Sequence, residues 1–231
     1  MELLGIDVGF SLIQKSTGIA CLHEEELTLY RADATWEDRK RKLPDFRPQV
    51  IAIDGPLLPA GQPIKTVRPC EQFFSRGLFC RRCKPGLSHF GTGFMLREAA
   101  HATRQQFGFT FGGSVVVEAF PNLFLGVLVS EEDYARIPKL RRGQKFDWLY
   151  DHAKENLMCL RKYLRLPKCV WRRVLTENDH ELRAALICLL TAALEAENKA
   201  VRTGEETGGW FWLPPLELWK SWAIEAATEG L

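Results

Sequence analysis

The chain has almost no surplus charge. Its 31 Lys and Arg face 29 Asp and Glu, a net of +2, too small to argue by itself for a polyanionic partner. Long apolar runs are missing as well: no uninterrupted segment approaches the ~18 residues that suggest a bilayer-crossing helix, so no membrane partner is expected. The opening Met1-Glu2-Leu3-Leu4-Gly5-Ile6-Asp7 has neither the basic start nor the apolar stretch of a signal peptide, and the expectation is a cytoplasmic protein. Seven cysteines, an odd number without a secretory signal, read as reduced thiols rather than a disulfide framework. Low-complexity tracts, internal repeats and breaks in composition that would mark a linker are also absent. The 231 residues, 46% of them apolar, are therefore expected to form one α/β domain, since about 250 residues is routine for a single domain. Nothing in the sequence fixes an oligomeric state.

The periodicities alternate between strand and helix. Residues 3–8, 18–22 and 27–31 are short β-prone runs separated by turn-like polar residues, which predicts a three-strand meander. A helix over 36–43 is closed by Pro44, and Val50-Ile51-Ala52-Ile53 has the unbroken apolar character of a buried central strand. Residues 56–93, rich in Pro, Gly, Cys and basic side chains, show no sustained period and read as a long insertion or lid after the fourth strand. Further on, 94–107 is helical, Ser114-Val115-Val116-Val117-Glu118 a strand, 145–164 an amphipathic helix, and 178–196 a helix apolar on nearly every face, hence buried. Trp210-Phe211-Trp212 suits a late edge strand and 216–227 a closing helix, with the tryptophans capping the core. Strands first, then strand and helix in turn, predicts an α/β fold with a mixed sheet flanked by helices.

Three strand-like segments end in a carboxylate followed by chain-reversing residues: Asp7 before Gly9, Asp54 before Gly55-Pro56, and Glu118 before Pro121. Each alone has an ordinary explanation as a turn acceptor. Together, at strand exits where open α/β sheets gather ligands, they form a candidate acidic centre. Clustered carboxylates raise each other's pKa unless a cation neutralises them, and hard oxygen donors select Mg²⁺ or Mn²⁺. Two such ions activate water and stabilise a leaving oxygen in phosphodiester hydrolysis. Asn178 is a good N-cap for the buried helix, whose first turn holds Asp179 and Glu181; these acids complement the helix dipole with or without a metal.

The order of Gly5-Ile6-Asp7-Val8-Gly9-Phe10-Ser11, Ala52-Ile53-Asp54-Gly55-Pro56-Leu57, Arg68-Pro69-Cys70-Glu71, Glu118-Ala119-Phe120-Pro121 and Asp179-His180-Glu181 resembles that of an uncharacterised family of predicted nucleases with a ribonuclease H-like fold. The likeness runs over roughly residues 3–194. It implies metal-dependent phosphodiester hydrolysis of nucleic acid, with catalytic positions at Asp7, Asp54, Glu118, His180 and Glu181 and metal positions at Asp7, Asp54, Glu118 and Asp179. Relatives place an acid shortly after the His-acid pair, where this chain has Ala184.

Substrate contact is expected at Ser11, Arg68, Glu71, Lys84 and Thr92. The insertion is positive at Lys65, Arg68, Arg81, Arg82 and Lys84, and Gly91-Thr92-Gly93 opens the next helix as a phosphate-binding turn would. Basic residues also cluster at 39–42, 139–145 and 161–173, as a phosphate channel or as solvated faces. Cys70, Cys80, Cys83 and His89 make a Cys-x9-Cys-x2-Cys-x5-His array with one knuckle-like pair, so structural Zn²⁺ is the alternative to unrelated reduced thiols. Two other functions fit the same residues. One is a nucleic-acid or nucleotide-binding protein that kept the fold and lost turnover. The other is an actin-like ATPase or kinase relative using Asp7-Val8-Gly9-Phe10-Ser11 as a phosphate loop, which a chain lacking a second copy of that motif disfavours.

Overall fold

The computed structural model of the chain describes residues 1–58, 67–89, 91–140 and 144–229. Strands β1 (Leu3–Asp7), β2 (Thr17–His23) and β3 (Glu26–Ala32) form the antiparallel meander. After α1 (Trp36–Lys40), β4 (Val50–Asp54) returns parallel to β1, and β5 (Val115–Ala119) adds parallel to β4. The sheet order is β3-β2-β1-β4-β5, a mixed five-stranded sheet. Unbroken runs such as Val-Ile-Ala-Ile in β4 are buried on both faces, which a central parallel strand requires.

Helices cover the two faces separately. One face carries Leu4, Ile6, Ile19, Cys21, Ile51 and Ile53, packed on Ala100 and Phe107 of α4 (Gly91–Thr110). The other carries Leu3, Ala20, Leu22, Val50, Ala52 and Val117, under α5 (Pro121–Gly126), α7 (Gln144–Cys159) and α9 (His180–Ala196). Every residue of α9 from Arg183 to Leu194 is buried; at about 1.5–3 kcal/mol per fully buried leucine, this helix is a major contributor to stability.

Two glycines set how closely α9 approaches. A Cβ on Gly5 would lie 2.3 Å from the Leu189 nitrogen, and one on Gly18 would lie 2.0 Å from the Glu181 carbonyl oxygen. No side chain fits between sheet and helix at these points, so the first turns of α9 sit directly on the ends of β1 and β2.

The second half departs from expectation in several places. Within residues 56–93 the chain forms α2 (Pro69–Phe74) and α3 (Gly77–Arg82), whose Phe74 and Phe79 belong to the core; part of that segment, with Lys65, lies outside the described residues. Short helices α6 (Glu131–Ala135) and α8 (Lys168–Thr176) escaped the sequence reading. Trp210-Phe211-Trp212 does not extend the main sheet. It lies in β7 (Gly209–Leu213), which pairs with β6 (Val201–Glu205) in a separate two-stranded sheet. The closing helix α10 (Ser221–Glu229) buries Trp222, as expected of a core cap.

Candidate acidic site

The parallel register pairs Gly5 with Ala52 and Asp7 with Asp54. The two aspartates therefore stand side by side at the carboxyl ends of adjacent strands, about 4.8 Å apart at the backbone. They flank the point where the sheet order reverses, with β2 and β3 on one side and β5 on the other, which is where open α/β sheets place their ligands. Both side chains are part-buried, on the face that α9 covers.

Burial, then the neighbouring Asp54 and Glu181 charges, holds the Asp7 carboxyl well above the ordinary range; Arg31 partly offsets this. Burial and the Glu118 charge push Asp54 up to about 7, against a hydrogen bond with Asp7. Two part-buried carboxylates in contact cannot both stay ionised without a compensating cation, so the metal-free pair shares a proton. Asp54 Oδ1 is buried with no hydrogen-bond partner. From beneath, the buried Cys188 thiol, raised first by burial and then by the charges of Asp54 and Asp7, meets the backbone at Asp54 and Ile6. One helical turn before it, Ala184 presents a methyl group where the resemblance expects an acid.

Glu118 is placed differently from expectation. It pairs in register with Ile53, while Asp54 pairs with Ala119, so Glu118 is not the strand-end neighbour of Asp54 and its side chain is drawn to Arg68. Both its oxygens are filled: Arg68 Nη2 donates to Oε1 at 2.7 Å, and Arg68 Nη1 and the Leu57 N–H donate to Oε2 at 2.9 and 2.8 Å. Burial holds Glu118 above its ordinary pKa, with Arg68 pulling it down. Glu118 is thus an ion-pair partner rather than an open metal ligand. Arg68 and Glu71, expected at the substrate, are 3% and 1% exposed and paired with each other at 2.8 Å. They brace Glu118 and accept no substrate in this arrangement. The cavity between Asp54 and Glu118 is about 30 Å³, room for a water and too small for a nucleotide.

The remaining expected residues are dispersed. Asp179, not Asn178, is the N-cap of α9: its Oδ1 accepts from the Leu182 N–H at 3.1 Å, and its Oδ2 faces Arg31 at 3.4 Å. Glu181 also pairs with Arg31, at 2.9 Å, while its charge reaches Asp7. His180 turns away from the aspartates, with Nδ1 3.0 Å from Asp147 Oδ2. Ser11 folds its own turn by accepting from the Gln14 N–H at 3.0 Å. Lys84 and Thr92 are exposed. Cys70 and Cys83 do not converge as zinc ligands: the Cys70 thiol faces the Gly208 carbonyl, and Cys83 is packed against Gly126. Among the described residues no group of three or more His, Cys, Asp or Glu side chains is placed to hold a metal ion.

Three arginines that sequence reasoning missed organise the region. Arg31 on β3 carries the α9 acids. Arg39, 2% exposed, donates to the Gly9 carbonyl at 2.8 Å and to Thr103 at 2.6 Å, fixing the turn after Asp7; it had read as part of a basic surface run. Arg183 donates to Asp147, Asp151 and Asn178 at 3.0–3.2 Å. Their partners are remote in sequence, and no local pattern announces them. A broad depression, about 780 Å³ around Lys40, Phe46, Arg47 and Phe111, opens before β4 and β5 begin. It holds no carboxylate cluster, so chemistry rather than volume locates the site.

The residues fit one hard cation better than two. Mg²⁺ commonly binds through one or two carboxylates and keeps water or substrate oxygens elsewhere, which suits Asp7 with the unpartnered Asp54 Oδ1. A second ion would need Glu118 or Asp179, whose oxygens are engaged. No family model matches the chain, and no curated protein or solved structure matches it significantly. No helix among the described residues is long and apolar enough to cross a membrane.

Proposed function

We propose that the protein is a metal-dependent nuclease of the ribonuclease H-like fold, using Asp7 and Asp54 to hold one Mg²⁺ or Mn²⁺ against a phosphodiester. The observation that carries this reading is the side-by-side pairing of the two aspartates at the sheet's reversal point, with pKa values raised first by burial and then by neighbouring carboxylates, and a buried oxygen lacking a partner. The meander, the parallel β4 and β5, and acids ending the first, fourth and fifth strands support the fold assignment. A bound cation supplies charge neutralisation and an acidified water. The chain's own part is to hold two carboxylates rigidly, through Arg39 and Thr17 on the turn after Asp7 and through α9 beneath. Glu181, tied to Arg31, adds negative charge beside Asp7.

Purified protein with Mn²⁺ should cut a single-stranded, duplex or branched nucleic acid, and Asp7→Ala should abolish the cut. Cleavage that survives Asp7→Ala sinks the assignment. A second reading has a specific observation behind it: with Glu118 saturated by Arg68 and Ala184 at the helix position, the site lacks a third open ligand. On that reading the protein binds nucleic acid or nucleotide without turning it over. Calorimetry separates the two, because binding without Mg²⁺ or Mn²⁺ uptake and without cleavage favours the latter.

A further inference from the structure

Four distant segments of the chain enclose a recess of about 220 Å³, lined by Cys83, Lys84, Asn122, Lys145, Phe146 and His180. Its lining combines apolar Phe146 and Cys83 with two ammonium groups, a side-chain amide and an imidazole. The carboxylate bonded to the recess imidazole is engaged elsewhere. Asp147 gives one oxygen to His180 at 3.0 Å and the other to Arg183 at 3.2 Å. Lys145 is held in place by the Arg81 carbonyl at 3.0 Å, an acceptor that orients the ammonium without cancelling its charge. Nor is Cys83 a counter-ion, since burial pushes its thiol up to about 12 despite Lys145 and Arg82. The His180 ring is fixed by an edge contact with Phe146 at 4.9 Å and by Asp147 on Nδ1, which leaves Nε2 as its remaining hydrogen-bonding atom.

A concave, low-dielectric wall with uncompensated positive charge focuses an anion's field. The volume lies below the ~300–1,000 Å³ of sites that enclose whole small molecules, so it suits one phosphate group better than a base and sugar. Its position is also telling. His180 precedes Glu181, whose charge reaches Asp7, and Asn122 follows closely on Ala119, the register partner of Asp54.

We propose that this recess is a phosphate-binding subsite at the same end of the sheet as the aspartate pair, seating a phosphate other than the one presented to Asp7 and Asp54. The placement rests on the nuclease reading above; the anion site itself does not. The phosphate could come from a nucleic-acid backbone or from free phosphate, and two measurements on the full chain in chelator separate these sources.

In the first, the His180 imidazole resonances are followed by NMR during titration with inorganic phosphate. They should shift in the wild type, and the response should be much reduced in Lys84→Ala and in Lys145→Met. In the second, binding of a short oligothymidylate is measured over a salt series. If the backbone is the source, each substitution should lower the slope of log affinity against log salt by about 0.7, one counterion-releasing contact on a single strand. A His180 response without oligonucleotide binding, or with an unchanged slope, assigns the recess to free phosphate; the complete absence of oligonucleotide binding also counts against the nuclease reading while leaving the subsite intact. A His180 that ignores phosphate, or responds equally in both lysine variants, overturns the subsite whatever the slope does. Loss of cleavage in Asp7→Ala with the His180 response intact would show the two sites to be separable.

Discussion

Asp7 and Asp54 act as one titrating unit, and that has a sign. In the unfolded chain both carboxyls ionise near the ordinary value of about 4. In the folded, metal-free chain Asp54 does so at about 7, and Asp7 is held well above its ordinary value. The folded state therefore holds extra protons across that interval, and the stability contributed by the protonated pair is complete on the acid side and lost as pH rises. In chelator, the urea midpoint should fall from about pH 5 to about pH 8. Asp54→Asn should flatten the fall and add on the order of 2 kcal/mol at the upper end, and Mn²⁺ should flatten it in the wild type; a midpoint independent of pH in chelator would contradict the shared proton. Arg68 tests the ion-pair network beside the pair. Its side chain is the shared cation of Glu118 and Glu71, so Arg68→Met leaves buried charge uncompensated and should cost about 3–5 kcal/mol. Urea unfolding of the double variant Arg68→Met with Glu118→Gln should recover part of that loss.

At the scale of elements, the contact between α9 and the strand ends decides what the site can hold. Ala184 is buried one turn above Cys188. Ala184→Asp adds a third like charge to the pair, so the metal-free variant should melt lower than the wild type, and the increase in melting temperature produced by Mn²⁺ should be larger. An equal Mn²⁺ shift in both proteins would mean that this position does not face the site. Much of this layer could be read from the sequence: the unbroken apolar run of β4, the all-round apolar face of α9 and the carboxylates at strand exits are local patterns. Strand β7 was legible as alternation, but its partner β6 and the separate sheet they form were not, because period two says nothing about the neighbour. Helices α2 and α3 were hidden by Pro69, Gly77 and the short length of each element. The N-cap shifted from Asn178 to Asp179, since both residues can cap and tertiary contacts choose between them: Asn178 is taken by Arg183.

Across the whole molecule, the aspartates were legible and their partners were not. Position along a strand follows from pattern, whereas facing depends on inter-strand register, and it is register that sets Glu118 against Ile53 and turns it toward Arg68. The closing helix offers a test at this scale. Trp222 donates to the Val129 carbonyl at 2.9 Å, lies 4.4 Å from the Arg82 guanidinium carbon, and packs on Phe79 and Tyr134. Through it the chain's end holds α3 and α6 in place. Trp222→Ala should cost about 3–5 kcal/mol, read as a lower denaturant midpoint.

The close fit of α9 on Gly5 and Gly18 bears on the order of events during synthesis. Asp7 is made long before the helix that backs it, which begins only at His180. Contacts of such long sequence separation form late and make folding slow. While the chain is still growing, the aspartates have strand neighbours to come and no helix behind them, so a ribosome-bound fragment that stops before residue 180 should carry an unformed site. The aspartate pair then acquires its backing nearly all at once, when α9 docks.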